Sequence, residues 1–147
     1  MFMNNLITIV NELDKVIGFG DYNYIHSRGI LHRFVSIFLL DAKRRFLIQR
    51  RANTKYHPNL LSESTSAHVL RNEDYLDTAN RKLKEELGLE HITLHEICKI
   101  IFNTFNLMKY FCFFIIFIPP IIIISITNIS FRIIIIFFKT EIYEYNN

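Results

Sequence analysis

The sequence predicts an α+β sandwich in which one amphipathic helix packs on a sheet. Three observations carry this. The apolar, β-branched run "FVSIFLL" (34–40) is joined by the charged "DAKRR" to a second such run, "FLIQRR" (46–51). The stretch "NEDYLDTANRKLKEELG" (72–88) has the caps and the apolar period of a helix. After it, "ITLHEICKIIF" (92–102) returns to strand composition.

Taken in order, "LITIVNELDKVIGFG" (6–20) gives a short strand, a polar turn over Asn11 to Lys15, and a second strand at Val16 and Ile17. The "GFG" at 18–20 is too short to cradle phosphate and suits a strand-end turn. Residues 34–40 and 46–51 form a β-hairpin, because two apolar runs flank a short charged connection. Residues 52–72 hold Pro58 and several Asn and Ser without periodicity, so they read as loop with short strand pieces. The helix opens with Asn72 or Asp74 as N-cap and places acidic residues in its first turn, where the helix dipole favours them. Leu76, Ala79, Leu83 and Leu87 recur at three or four residues as one apolar stripe, and Gly88 suits a left-handed C-cap. Cys98, in the next apolar strand, reads as a buried and inert thiol.

The 147 residues suit one modest domain, and the net charge is +3. The basic residues are scattered rather than gathered on one face, which argues against a nucleic-acid polymer as partner. Two cysteines imply no disulfide framework, and the N-terminus lacks the pattern of a signal peptide, so a cytoplasmic setting is expected. Composition breaks sharply along the chain. Of the 31 charged residues only five (Lys109, Arg132, Lys139, Glu141, Glu144) lie beyond position 103, and residues 111–138 contain 13 Ile and 7 Phe. The expected organisation is a domain over 1–103 and a hydrophobic, low-complexity tail over 104–147.

Residues 66–89, "SAHVLRNEDYLDTANRKLKEELGL", carry a pattern of defined spacing: a glutamate, seven residues, then Arg-x-aliphatic-x-Glu-Glu-x-Gly-aliphatic. This resembles the Nudix box, and Glu73, Arg81, Leu83, Glu85, Glu86, Gly88 and Leu89 fall in register without a gap. Ala67 stands where that box opens with glycine, and Lys82 where its metal cluster has a first glutamate. Upstream, "HSRGILHRFVSIFLLD", "FLIQRRANTK" and "HPNLLSESTSAHV" look like the Nudix branch of isopentenyl-diphosphate isomerases and their nearest hydrolases, through His26, His32, Arg33, Gln49, Arg50, Arg51 and His68. The resemblance spans roughly residues 6–100 and implies a Nudix-like α/β/α sandwich, incomplete on its C-terminal side.

What the resemblance implies chemically is cleavage or rearrangement of a small molecule bearing a diphosphate, helped by Mg²⁺ (or Mn²⁺). Carboxylates hold such an ion and basic side chains take the remaining phosphate charge. Glu85 and Glu86 are the expected catalytic and metal-binding pair, and Arg51 and Lys55 the expected grip on the diphosphate. His26, His32 and His68 are a second candidate metal set, as their equivalents are in the isomerases. The bland alternatives remain beside these. Glu85 and Glu86 also suit a solvated helix face, and Arg81 with Glu85 a plain ion pair contributing about 0.2–0.5 kcal/mol. The histidines could stand apart, with His26 in solvent, His32 half-buried and His68 hydrogen-bonded in the loop. Lys82, three and four residues before the acidic pair, removes one ligand and brings an ammonium within reach of the others.

The isomerases place a cysteine just before a Gly-His pair; here that position is Ser66, and "STSAHV" aligns without a gap with the hydrolases. The expected activity is therefore a metal-dependent diphosphate hydrolase, with an isomerase-like protein, or a non-catalytic Nudix domain tethered to membrane, as alternatives. No glutamate lies between Glu96 and Glu141 to complete a metal site. The tail admits three readings. Residues 110–131 carry no charge and are long enough to span about 30 Å of hydrocarbon as a helix, although Pro119 and Pro120 interrupt them. A tail of Ile, Phe, Asn, Tyr and Lys also suits mistranslated A/T-rich sequence, or a divergent buried ending.

Overall fold

The computed structural model describes residues 5–43, 45–51, 58–104, 107–118 and 134–139, those from 103 onward as backbone only. A mixed sheet carries one helix on each face. The first hairpin pairs β1 (Ile7–Val10) with β2 (Val16–Gly20). Its turn is tied by the Asn11 side chain, which accepts the backbone N–H groups of Leu13 and Lys15 at 3.0 Å each. "GFG" belongs to β2 itself rather than to a turn after it. A Cβ on Gly20 would lie 3.1 Å from the Tyr24 ring and 3.2 Å from Ile25, so glycine lets the next helix close onto the strand.

That helix, α1 (Tyr22–Arg28), has no counterpart in the sequence reading. Seven residues with one apolar anchor give no period to detect. It is fixed at both ends, by the Asp21 carboxylate accepting the Tyr24 N–H and by Gly29 at φ 62°. The centre of the sheet is β3 (His32–Asp41). Along one edge it pairs antiparallel with β1, then β6 (Thr65–His68), then β4 (Arg45–Arg50); β4 also pairs with the short β5 (Leu61–Ser62) and with β9 (Ile134–Lys139). Along the other edge β8 (Leu107–Ile118) runs parallel to β3 from His32↔Lys109 to Asp41↔Ile118, and β7 (His95–Thr104) closes on β8. Part of the compositional tail is therefore sheet. Among the described residues no helix is long and apolar enough to cross a membrane; the rest of the expected span, 119–131, lies outside them.

Pairing register decides which helix covers which face, since directly opposed residues point to the same side. Val35↔Ala67, Ile37↔Thr65 and Leu39↔Leu47 define one face, on which α2 (Tyr75–Leu87) packs through Ala79, Leu83 and Leu87. Ile9↔His32 and Phe34↔His68 define the other, and Ile25 of α1 packs there on Ile7 and Ile9. The result is the expected α/β/α layering.

The α2 caps follow the sequence: Asp74, one of the two expected residues, exchanges hydrogen bonds with Asp77 in a capping box, and Gly88 ends the helix at φ 66°. The buried stripe is rotated by one residue. Leu76 is 47% exposed, and Tyr75 and Thr78 take the inner positions with Ala79, Leu83 and Leu87. Tyr75 can be inside because its hydroxyl donates to Asp14 at 2.8 Å. Cys98 is likewise corrected: it is exposed. Among the described strands β7 pairs with β8 alone, and a register shift between Glu96 and Cys98 breaks the simple inward alternation.

Candidate functional site

The sequence of α2 builds a charged surface toward the end of β6. Arg81 donates from Nε to Glu73 at 2.6 Å and from Nη2 at 2.9 Å, while the Leu70 N–H and the Thr78 hydroxyl also donate to Glu73. Glu73 thus ties the loop before α2 to the second turn of the helix. Burial opposes its charge, but the Arg81 and Thr78 hydrogen bonds outweigh this and hold its carboxyl below the usual range. The same pairing raises Arg81. Arg81 reaches Glu85 only at 3.4 Å, so the plain i,i+4 pair expected there is secondary to the clamp on Glu73.

Glu85 and Glu86 share one neighbour. Lys82 Nζ lies 3.0 Å from Glu86 Oε1 and 3.3 Å from Glu85 Oε2. Burial works against the Lys82 ammonium, yet its contacts with Glu86 and then Glu85 prevail and raise its pKa above the ordinary lysine value. The other Glu86 oxygen accepts a short hydrogen bond from the hydroxyl of Thr65, which is buried beneath the helix. Thr65 escaped sequence reasoning; only its place opposite Ile37, on the α2 face, brings it there. Ala67 sits in β6 and is not among the residues of positive φ, so replacing glycine there imposes no strain.

On the opposite face the three histidines meet. His26 comes from α1, His32 from the first position of β3 and His68 from the last of β6. One ligand atom from each lies within 4.8 Å of the others. His32 is fully buried, and His26 and His68 are half-buried, so the scattered arrangement does not hold. His32 Nδ1 lies 2.7 Å from the Ile30 carbonyl, which can only accept, so Nδ1 carries a proton and donates it there. His26 Nε2 and His68 Nε2 are 2.9 Å apart, within hydrogen-bond distance and near enough for both to ligate one cation. Tyr22, unmarked by the sequence, stacks on His26 with ring centroids 3.9 Å apart.

The two faces join around the side of β6, which pairs only with β3 among the described strands. A cavity of about 320 Å³ opens there, lined by Tyr22, Ser66 and His68 from one side and Arg81 and Lys82 from the other. Arg51 follows directly after β4 and is not in this cavity's lining; its buried Nε has no hydrogen-bond partner among the described residues. Lys55 lies outside the described residues.

The NUDIX domain family model matches residues 30–117. Among curated proteins, an isopentenyl-diphosphate Delta-isomerase 2 of Aromatoleum aromaticum is 40% identical over 89 residues, covering 60% of this chain and 47% of that protein. The isopentenyl-diphosphate Delta-isomerase of Serratia proteamaculans is 38% identical over 87 residues, covering 58% and 49%. The chain thus spans about half the length of these relatives. Among solved structures, DR0079 of Deinococcus radiodurans superposes with a TM-score of 0.65 at 26% identity, over 77% of this chain and 72% of that one. A MutT protein of Methanosarcina mazei, at TM-score 0.51 and 16% identity over 60% and 64%, shares the fold.

Proposed function

The chain belongs to the NUDIX domain family, and from that premise we propose that it is a divalent-metal enzyme acting on a small diphosphate, with isopentenyl-type diphosphates as the substrate class. One observation carries the proposal: three histidines from three separate elements bring ligand atoms within 4.8 Å of one another beside a cavity walled by Arg81 and Lys82. Three neutral imidazole nitrogens suit manganese, zinc or a similar transition ion better than magnesium, which prefers carboxylate and water oxygens. Bound there, the ion would supply Lewis-acid neutralisation of phosphate charge.

The chain's own groups have separable tasks. The Ile30 carbonyl holds the His32 ring through Nδ1 and so turns its Nε2 edge toward the other two histidines. Tyr22 holds the His26 ring by stacking. Arg81 and Lys82 line the cavity and carry N–H donors that an anionic headgroup can share with their glutamate partners. Ser66 supplies the hydroxyl that lines it. Relatives at 38–40% identity bear the name isopentenyl-diphosphate Delta-isomerase, which favours an allylic proton shift as the reaction. Ser66, a weaker acid than the cysteine of that subfamily, favours the second reading, hydrolysis of the diphosphate.

Incubating the chain with isopentenyl diphosphate and Mn²⁺ in D₂O tests both. Deuterium entering the carbon skeleton identifies the isomerase reading, and phosphate release without deuterium the hydrolase reading. Both activities should vanish in His68→Gln. A chain that binds neither Mn²⁺ nor the diphosphate by calorimetry overturns the proposal.

A further inference from the structure

We infer that the box helix carries its own cation: Lys82 takes the place of a divalent ion beside Glu85 and Glu86, so no metal is seated on the helix. The inference rests on the reading above only in assigning the ion to the histidines instead. On the helix itself the residues do not fit a metal. A metal needs carboxylate lone pairs turned toward it. Here Glu86 has a donor on each oxygen, Lys82 on Oε1 and the Thr65 hydroxyl on Oε2. Glu85 Oε2 faces Lys82 at 3.3 Å and Arg81 at 3.4 Å.

The charge count agrees with this geometry. Glu73, Glu85 and Glu86 with Arg81 and Lys82 form one cluster of charge −3 + 2 = −1. With glutamate at position 82 the same cluster would carry −4 + 1 = −3, a charge that calls for a divalent counter-ion. The difference is two units, the charge of the ion displaced. Lys82 is also well placed to stay: its side chain is only 22% exposed and it contacts both acids at once. Unlike an ion, it cannot be removed by a chelator.

Mn²⁺ titration by calorimetry and water-proton relaxation, on the whole chain, tests this. Wild type should take up one equivalent that is unchanged in Glu86→Gln and lost in His26→Gln. Lys82→Glu should gain a further equivalent that survives in the His26→Gln background and disappears when Glu86→Gln is added. Lys82→Gln, which removes the ammonium without adding a ligand, should gain it more weakly. The inference is overturned if Glu86→Gln removes a metal equivalent from the wild type, a comparison that needs no Lys82 variant. It is overturned equally if Lys82→Glu and Lys82→Gln fold, by circular dichroism, and neither gains one. A wild-type site that persists in His26→Gln refutes the histidine reading instead, and the Lys82 arms in that background still decide the helix.

Discussion

Replacing Glu73 by glutamine should weaken the fold at neutral pH and leave it nearly unchanged in acid. Glu73 accepts from Arg81 Nε at 2.6 Å, Arg81 Nη2 at 2.9 Å, the Thr78 hydroxyl at 2.8 Å and the Leu70 N–H at 3.3 Å. Glutamine keeps one acceptor oxygen, turns the other into a donor that faces donors, and removes the charge opposite Arg81. Hydrogen bonds to a charged group contribute about 1.5–3 kcal/mol each where water is excluded. The two side chains are 20% and 27% exposed, so solvent screens part of this. A net loss of about 2 kcal/mol follows, or a melting temperature lower by roughly 4–8 °C for a chain of this size.

The pH dependence gives the sharper test. The folded pKa of Glu73 lies below the ordinary glutamate value, because burial is outweighed by the Arg81 and Thr78 hydrogen bonds. Its stabilisation is therefore complete above that value and is lost as pH falls through the lower, folded one. Urea midpoints of wild type and Glu73→Gln should be well separated at neutral pH and converge in strong acid. A separation under about 0.5 kcal/mol at neutral pH, which is the level of an exposed surface pair, or one that persists undiminished in acid, would refute the clamp.

Two further substitutions probe the faces separately. Leu83, 1% exposed in the core beneath α2, should cost about 2–5 kcal/mol on replacement by alanine; a urea midpoint within error of wild type would mean that α2 does not pack on Val35 and Ile37. Gly20→Ala places a Cβ 3.1 Å from Tyr24 and 3.2 Å from fully buried Ile25, so α1 must shift. About 1–3 kcal/mol of stability should go with it, and Mn²⁺ affinity should fall because His26 rides on the same helix. Affinity unchanged in a destabilised variant would detach the histidine site from α1.

By itself the sequence determined what is set within a few residues. Asp74 and Gly88 bound α2, Asn11 ties the first turn, and the spacing from Glu73 to Leu89 identified the family, because caps, turns and helical spacing are local properties of the chain. Lys82 could be placed beside Glu85 and Glu86 for the same reason. Tertiary structure decided everything that depends on which strand lies next to which. The registers Ile9↔His32 and Phe34↔His68 bring His68 to His32 and to His26, which stands 42 residues earlier, and Ile37↔Thr65 brings a hydroxyl to the second oxygen of Glu86. The same long-range packing turned Tyr75 inward and Leu76 outward, exposed Cys98, and set the uncharged run 110–118 as a parallel neighbour of β3. A one-residue change of register moves every side chain of a strand to the other face, and which face is right depends on the elements packed against it, which lie far away in the sequence.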